Sequence, residues 1–318
     1  MKVSVCINIL NEEGSIESLL DSLLSQTKSA DEIVIVDAES KDKTVDIVRR
    51  YQKKNRKLKL IIEPGSIAHG RNTAIENAKN EIIAMTDAGC IARADWLYKI
   101  TTPFKDKNTG IVAGFYHMSS ANSLQKAMNV FHGVTPKEFD KDKFIPSARS
   151  FAIRKLVWKK IGGFSEKLTK AGEDTLFFYK SSKMKIRIVR VKEAIVEWNE
   201  PETFTLIDSA KKFYSYALGD AQAGIWWHSE KQFASHNIRI SMIFLRYLSG
   251  LFLIMLTFQH PRLWLLIAIL FFLYIFWSFY KVYRLTDDIK TGAWGVPLQF
   301  IADVAVMKGF LDGLLTKY

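Results

Sequence analysis

The chain has 318 residues, 48% of them hydrophobic and 13% aromatic, with a formal net charge of +12; this is enough to bury a core in one large domain with an appendage, or in two domains. Its two cysteines, Cys6 and Cys90, exclude a disulfide framework and a cysteine-based zinc site. The basic residues are dispersed rather than interleaved with aromatics, and many flank an apolar C-terminal part, so the charge points to a membrane surface or a phosphorylated ligand and no nucleic-acid partner is expected.

In chain order, Val3 to Ile9 reads as a buried strand. The run up to Leu10 is too short for a signal-peptide core and meets Asn11-Glu12-Glu13 with no small-residue cleavage site, so no secretory leader is expected there. Ile16, Leu19, Leu20, Leu23 and Leu24 form a helical stripe within Ser15 to Ser25. Strands follow at Glu32 to Asp37, Lys57 to Glu63 and Glu81 to Thr86, with helices at Lys43 to Lys53 and Gly70 to Asn80 between them. This alternation predicts an α/β fold built on parallel βαβ units. No Gly-x-Gly-x-x-Gly follows the first strand, which removes the main support for dinucleotide binding. Asp87 leaves the carboxyl end of the Glu81 to Thr86 strand, where open α/β sheets bind ligands.

Asp95 is a candidate cap for a helix through Phe104, and Thr109 to Met118 reads as a strand. Ser119 to Ile145 mixes polar and apolar residues and contains Pro136, as a loop or substrate-side insertion would. Ala148 to Ile153 is a strand, and Gly162-Gly163 stops a short helix from Lys155. Glu173 to Lys183 is a helix whose leading acids suit its dipole. Ile186 to Val191 and Ala194 to Trp198 read as two strands, and Phe204 to about Glu230 as one or two amphipathic helices carrying Trp226 and Trp227.

The chain then changes solvent. Leu263 to Tyr280 is a run of eighteen residues without a charge, about the minimum for a bilayer span, and Ile240 to Phe258 is nearly as apolar but for Arg246. His260-Pro261 predicts a hairpin turn between helices at about 240–258 and 263–283. Arg239 and Arg246 precede it, Lys281, Arg284 and Lys290 follow it, and the turn holds only Arg262, so a multi-pass cytoplasmic-membrane protein with its N-terminal domain in the cytoplasm is expected. A third apolar stretch, Trp294 to Leu315, contains Asp303, Lys308 and Asp312, a charge density that favours an interfacial helix over a span. Its small residues Ala305, Gly309 and Gly313 permit close helix packing, including packing between copies in a homo-oligomer. The expected division is 1–235 for the catalytic domain and 236–318 for the membrane region.

Several motifs stand in one order: Asn11-Glu12-Glu13; Val36-Asp37-Ala38-Glu39-Ser40-Lys41-Asp42-Lys43-Thr44; Arg71-Asn72; Asp87-Ala88-Gly89; Gly162-Gly163-Phe164-Ser165-Glu166; and Gly172-Glu173-Asp174. Together they resemble a family 2 glycosyltransferase of the GT-A fold, over about two thirds of the chain, from Val3 to about Gly224. The resemblance implies a mostly parallel, Rossmann-like sheet that binds a nucleotide-sugar such as a GDP- or UDP-hexose. It also implies inverting transfer of a hexose to an acceptor, which the apolar helices suggest is a polyprenyl-phosphate, lipid-linked saccharide or glycolipid. Rival readings are a soluble acceptor with a passive anchor, and a nucleotide-sugar or lipid-surface binding protein without turnover. The signature Gln-x-x-Arg-Trp is absent after Asp174, which argues for adding one sugar rather than a polymer.

By the same resemblance Asp174 is the general base, and Glu173 orients it or contacts the acceptor. Glu12 contacts the nucleotide near the ribose, Asp37 the base and Arg71 the diphosphate. Asp87 holds a divalent cation, Mn2+ or Mg2+, at the DxD position, although Gly89 replaces the second Asp. A hard cation among carboxylate and phosphate oxygens would neutralise the leaving diphosphate. Trp198 stands where many relatives carry His, and with Tyr216 it is an acceptor-side candidate. Ser40 and Thr44 read as turn and cap groups, and His69 as structural.

Overall fold

The structure, a computed structural model, describes residues 1–168, 170–198, 203–226 and 236–316. Its elements in chain order are β1 (Val3–Ile9), α1 (Ile16–Leu24), β2 (Glu32–Asp37), α2 (Thr44–Lys54), β3 (Leu58–Ile62), α3 (Ile67–Asn77), β4 (Ile82–Met85), β5 (Cys90–Ala92), α4 (Trp96–Thr101), β6 (Ile111–Met118), α5 (Ser123–His132), β7 (Phe151–Arg154), α6 (Lys155–Ile161), α7 (Glu173–Lys183), β8 (Ile188–Trp198), α8 (Leu206–Ala223), α9 (His236–Thr257), α10 (Leu263–Thr286) and α11 (Ile289–Leu315). They form two compact units, one of residues 1–119 and 139–200, the other of residues 120–138 and 201–318.

The first unit is an eight-stranded sheet in the order β3-β2-β1-β4-β7-β6-β8-β5. β1 to β4 are mutually parallel where they pair, β7 is antiparallel to both β4 and β6, β6 and β8 run parallel, and β5 is antiparallel to β8. β1 and β2 are buried nearly throughout, which is why their apolar runs are unbroken. The chain steps from β1 out to β3 and returns to β4 on the other side of β1. The switch point therefore lies between β1 and β4, with their carboxyl ends opening on the ligand edge.

The structure adjusts four sequence expectations. α3 begins at Ile67, ahead of Gly70, because Ser66 Oγ accepts the His69 N–H at 3.2 Å and caps the helix there. Asp95 makes no cap; its carboxylate meets Lys99 at 2.6 Å, and α4 tightens into a 3-10 turn at Thr102–Lys105. The two strands expected between Ile186 and Trp198 are one, β8, because a register shift on β6 between Ala113 and Phe115 absorbs the irregularity. The stretch 119–145 is no simple loop: it holds α5, capped by Asn122 Oδ1, which accepts from Gln125 N at 2.9 Å.

In the second unit α5 contributes Ala127, Met128 and Val130 to a core with Val282 of α10 and Leu298 of α11. α8 opens with a capping box in which Thr205 and Asp208 satisfy each other's backbone N–H, and it stops at Gly224. Trp227 lies outside the described residues. α11 runs close against α8: a Cβ at Gly309 would lie 2.2 Å from the Tyr214 carbonyl oxygen, so the small-residue stripe serves packing within the chain. α9 and α10 are long and apolar enough to cross a membrane, and they expose side chains such as Phe252, Leu265 and Phe272. Arg246 does not stand alone in this apolar setting. It pairs with the fully buried Asp303, which also accepts from Tyr274, from Tyr247 at 3.1 Å and from Gln299 at 2.9 Å. A charge held away from water needs such saturation of its lone pairs.

Candidate functional site

Acids gather where β1, β2 and β4 end. Asp37 closes β2 fully buried, and its carboxylate accepts from Ser40 N at 2.8 Å and Ser40 Oγ at 2.5 Å. A buried carboxylate is tolerable only when so bonded. The loop after β1 zips onto the same turn. Asn11 N donates to Ser40 Oγ at 2.8 Å, Glu12 N to Thr44 Oγ1 at 2.7 Å, and Lys41 N to Asn11 Oδ1 at 2.8 Å. Ser40 and Thr44 thus tie two loops together. Asn11 and Glu39 take left-handed φ of 55° and 65° at the two bends, a conformation that costs a side-chain-bearing residue energy. The Glu12 carboxyl lies above its ordinary range, chiefly through burial; Ser15 opposes the rise, and Asp42 and Asp87 add to it. Glu12 and Asp87 therefore share one electrostatic field.

The centre of this edge is Arg71 on α3. Its guanidinium donates to Asp87 Oδ1 at 2.7 Å and to Glu173, and Phe164 lies 5.7 Å from it. The Arg71 side chain is 3% exposed, against 7% for Glu173 and 27% for Asp87. Burial works against the Arg71 charge, but Asp87, Glu173 and Asp174 outweigh it and raise its pKa. Burial also pushes the Glu173 carboxyl up, with Arg71 opposing and Asp174 adding. Asp174 is the next residue, half-buried in the first turn of α7, where its carboxylate accepts from Thr175 N at 2.7 Å.

Packing sets the position of that turn. Phe164, from the Gly-Gly-Phe loop, stacks on Phe177 of α7 at 4.5 Å between centroids, and Phe178 meets Phe151 of β7 edge-on at 5.3 Å. Such pairs contribute about 0.5–1.5 kcal/mol each beyond burial. Asn72, beside Arg71, locks the loop from the other side, donating to Phe164 O at 2.9 Å and accepting from Phe164 N at 2.9 Å. It also donates to Glu166 Oε1 at 2.8 Å. One helix therefore positions the acid pair of α7 and the loop that precedes it.

His69 extends this clamp, touching Glu166 at 3.0 Å and Glu63 at 2.7 Å. Hydrogen bonding to Glu166 and then Glu63 raises the His69 pKa, against burial. The Asn72 bond is the largest influence lowering that of Glu166; burial opposes it and His69 adds to it. A raised histidine stabilises fully below its unfolded pKa of about 6.5 and stops doing so as pH climbs through the folded value. A lowered carboxylate stabilises above its unfolded value and fails as pH falls through the folded one. The stability difference between wild type and His69→Gln is therefore expected to be largest at mildly acidic pH and to shrink above about 6.5. Thermal melts across pH check this, and a difference constant with pH would sink it.

Trp198 ends β8 opposite Cys90 of β5, and Tyr116 of β6 meets its ring edge-on at 6.1 Å. Arg149 lies over that ring, its guanidinium carbon 3.7 Å from the centroid and 5.1 Å from that of Tyr116. Arg149 belongs to no motif that would single it out in the sequence; strand pairing alone brings it there. Tyr216 belongs to the second unit, on α8.

The donor set for a metal is narrow. Among the described residues no group of three or more His, Cys, Asp and Glu could hold an ion, and one oxygen of Asp87 is already engaged by Arg71. The residues fit a divalent ion only as one that shares its coordination with a bound ligand's own oxygens, as magnesium commonly does with phosphates.

The Glycosyl transferase family 2 model matches residues 4–167. Among curated relatives, Glycosyltransferase AglE of Haloferax volcanii is 28% identical over 54% of this chain and 58% of its own length. Probable glycosyltransferase YdaM of Bacillus subtilis is 26% identical over 77% of this chain and 57% of its own. The chain thus spans little more than half the length of either. Among solved structures, mannosyltransferase PcManGT from Pyrobaculum calidifontis, in complex with GDP-Man and Mn2+, superposes with a TM-score of 0.66 at 21% identity, over 96% of this chain and 87% of that one. S. aureus TarS 1-349 in complex with UDP-GlcNAc gives 0.55 at 18% identity, over 99% and 91%. These two likenesses speak to the fold.

Proposed function

Because the chain belongs to glycosyl transferase family 2, we propose that it is an inverting hexosyltransferase, moving one sugar from a nucleotide-sugar to a lipid or lipid-linked acceptor at the cytoplasmic face of a membrane. The observation that carries this is the Asp87–Arg71–Glu173 linkage at the carboxyl edge of the sheet, with Asp174 next in the chain. It joins the end of β4 to the start of α7 and so gathers Asp87 and the acid pair of α7 at one edge.

In this reading Asp37 and Glu12 receive the base and ribose of the donor. Asp174 takes the proton of the acceptor hydroxyl as its oxygen bonds to the anomeric carbon. The bond from that carbon to the diphosphate oxygen breaks, the electron pair leaves with the diphosphate, and the centre inverts. Arg71, expected by resemblance to meet the diphosphate, is 3% exposed and paired with Asp87 and Glu173, so in this reading it acts by holding those acids in place. A divalent ion arriving with the diphosphate would be held by Asp87 and would supply positive charge to the leaving group. The transfer chemistry belongs to residues 1–235. The helices from 236 onward, two of them apolar enough to span, hold the chain at the bilayer where a lipid-borne acceptor is found. The basic residues flanking the hairpin, against one arginine in its turn, support the cytoplasmic placement.

The test is a screen of UDP- and GDP-sugars with detergent-purified protein and Mn2+ or Mg2+, reading nucleoside diphosphate release with and without a membrane lipid extract. Lipid-stimulated release from one donor, removed by chelator, is expected. Release stimulated only by soluble sugars would overturn the lipid acceptor, and binding of a donor with no release under any acceptor would favour a binding protein.

A further inference from the structure

We infer that Arg149, stacked on Trp198, is a cationic ligand for the donor diphosphate, an assignment that rests on the transferase activity proposed above. Strand register puts it at the right edge. β7 is antiparallel to β4 with Phe151 opposite Met85, so Arg149, two residues before Phe151, and Asp87, two residues beyond Met85, leave the sheet side by side. The backbone there is pinned. Ser150 Oγ accepts from Trp96 Nε1 at 2.9 Å and donates to Ala194 O at 3.1 Å, and Ser150 O accepts from Gly114 N at 2.9 Å.

The stacking suits the role. A guanidinium laid flat on an indole engages its face, while its N–H fork lies in the plane, in the geometry that phosphate oxygens match. The Trp198 ring at 3.7 Å and Tyr116 at 5.1 Å thus hold the cation before any ligand arrives; one fork N–H meets Ser147 Oγ at 3.2 Å. Preorganised charge of this kind costs little on binding.

Charge supplies the need. The edge carries Glu12, Asp37, Asp87, Glu173 and Asp174, and a diphosphate adds more negative charge to it. Arg149, half-buried on the same edge, is placed to offset it. The Cys90 thiol, three residues after Asp87, senses both charges: burial pushes it up to about 12, with Asp87 adding and Arg149 opposing.

The experiment compares wild type, Arg149→Gln and Arg149→Lys as full-length protein in detergent. UDP and GDP are titrated by calorimetry in EDTA and in Mn2+, and uridine and guanosine by ligand-observed NMR. The expected result is that Arg149→Gln weakens the bound diphosphate about tenfold or more in EDTA. Nucleoside binding is then unchanged, and Arg149→Lys recovers part of the loss. Equal loss for diphosphate and nucleoside would make Arg149 a structural residue and overturn the assignment, as would diphosphate affinity unchanged in the Gln variant. If wild type binds neither diphosphate, the donor site itself falls, and this assignment with it.

Discussion

Asp174→Asn is expected to cut turnover by about 10²–10⁴-fold while leaving nucleotide-sugar binding within a few-fold of wild type. Asparagine keeps the size of the side chain and can still accept from Thr175 N, the bond that holds Asp174 at 2.7 Å, so the first turn of α7 persists. What is lost is the ability to take a proton. A base that works only as the acceptor oxygen attacks should change kcat and kcat/KM together. Single-turnover transfer with radiolabelled donor separates the two steps. Full activity in this variant would remove Asp174 from the mechanism; an equal loss of donor affinity would show it to be a donor ligand instead.

Arg71→Met is expected to be the most destabilising of the conservative-volume changes at this edge, by roughly 3–5 kcal/mol. Methionine fills the cavity, but Asp87 and Glu173 then face each other without their shared cation, in a place where Glu173 is 7% exposed. Burial already raises the Glu173 carboxyl with Arg71 present, so without it the group is expected to take up a proton. The double variant Arg71→Met/Glu173→Gln should therefore recover a substantial part of the loss, because it removes the orphaned acid along with the cation. Thermal unfolding of the three proteins, followed by near-UV dichroism, reads this directly. A single variant as stable as wild type would mean that the acids do not depend on Arg71, and no recovery in the double would mean that packing rather than charge is what was lost.

Much of the first unit was legible because its physics is local. β1, β2 and β4 are buried on both faces and read as unbroken apolar runs, and α1 and α2 show single apolar stripes. The acids at the strand ends were legible for the same reason: a carboxylate just past a buried run can only emerge at the carboxyl edge. Their relation to one another was not. Nothing in the spacing of Arg71, Asp87 and Glu173 says that a helix, a strand end and a helix start converge on one guanidinium; the sheet order decides that. α5 shows the opposite failure. Leu124, Ala127, Met128 and Phe131 do carry a helical stripe, but the charged stretch and Pro136 that follow obscure it, and its partners lie in α10 and α11, far along the chain. Arg149 was hidden more completely, since its environment is made by β5, β6 and β8, none adjacent to it in sequence.

The passage of α3 beside β1 has a consequence for how such chains can vary. A Cβ at Gly70 would sit 1.7 Å from Asn8 Oδ1, an oxygen that is itself buried without a hydrogen-bond partner among the described residues. Two atoms cannot share that space, so positions 8 and 70 form one volume divided between two residues. A relative that keeps this helix and carries a side chain at 70 needs the residue at 8 to turn away or to be smaller, and the two positions should covary. The residue next to 70 is Arg71, so the close approach of α3 to β1 lies immediately beside the residue at the centre of the ligand edge.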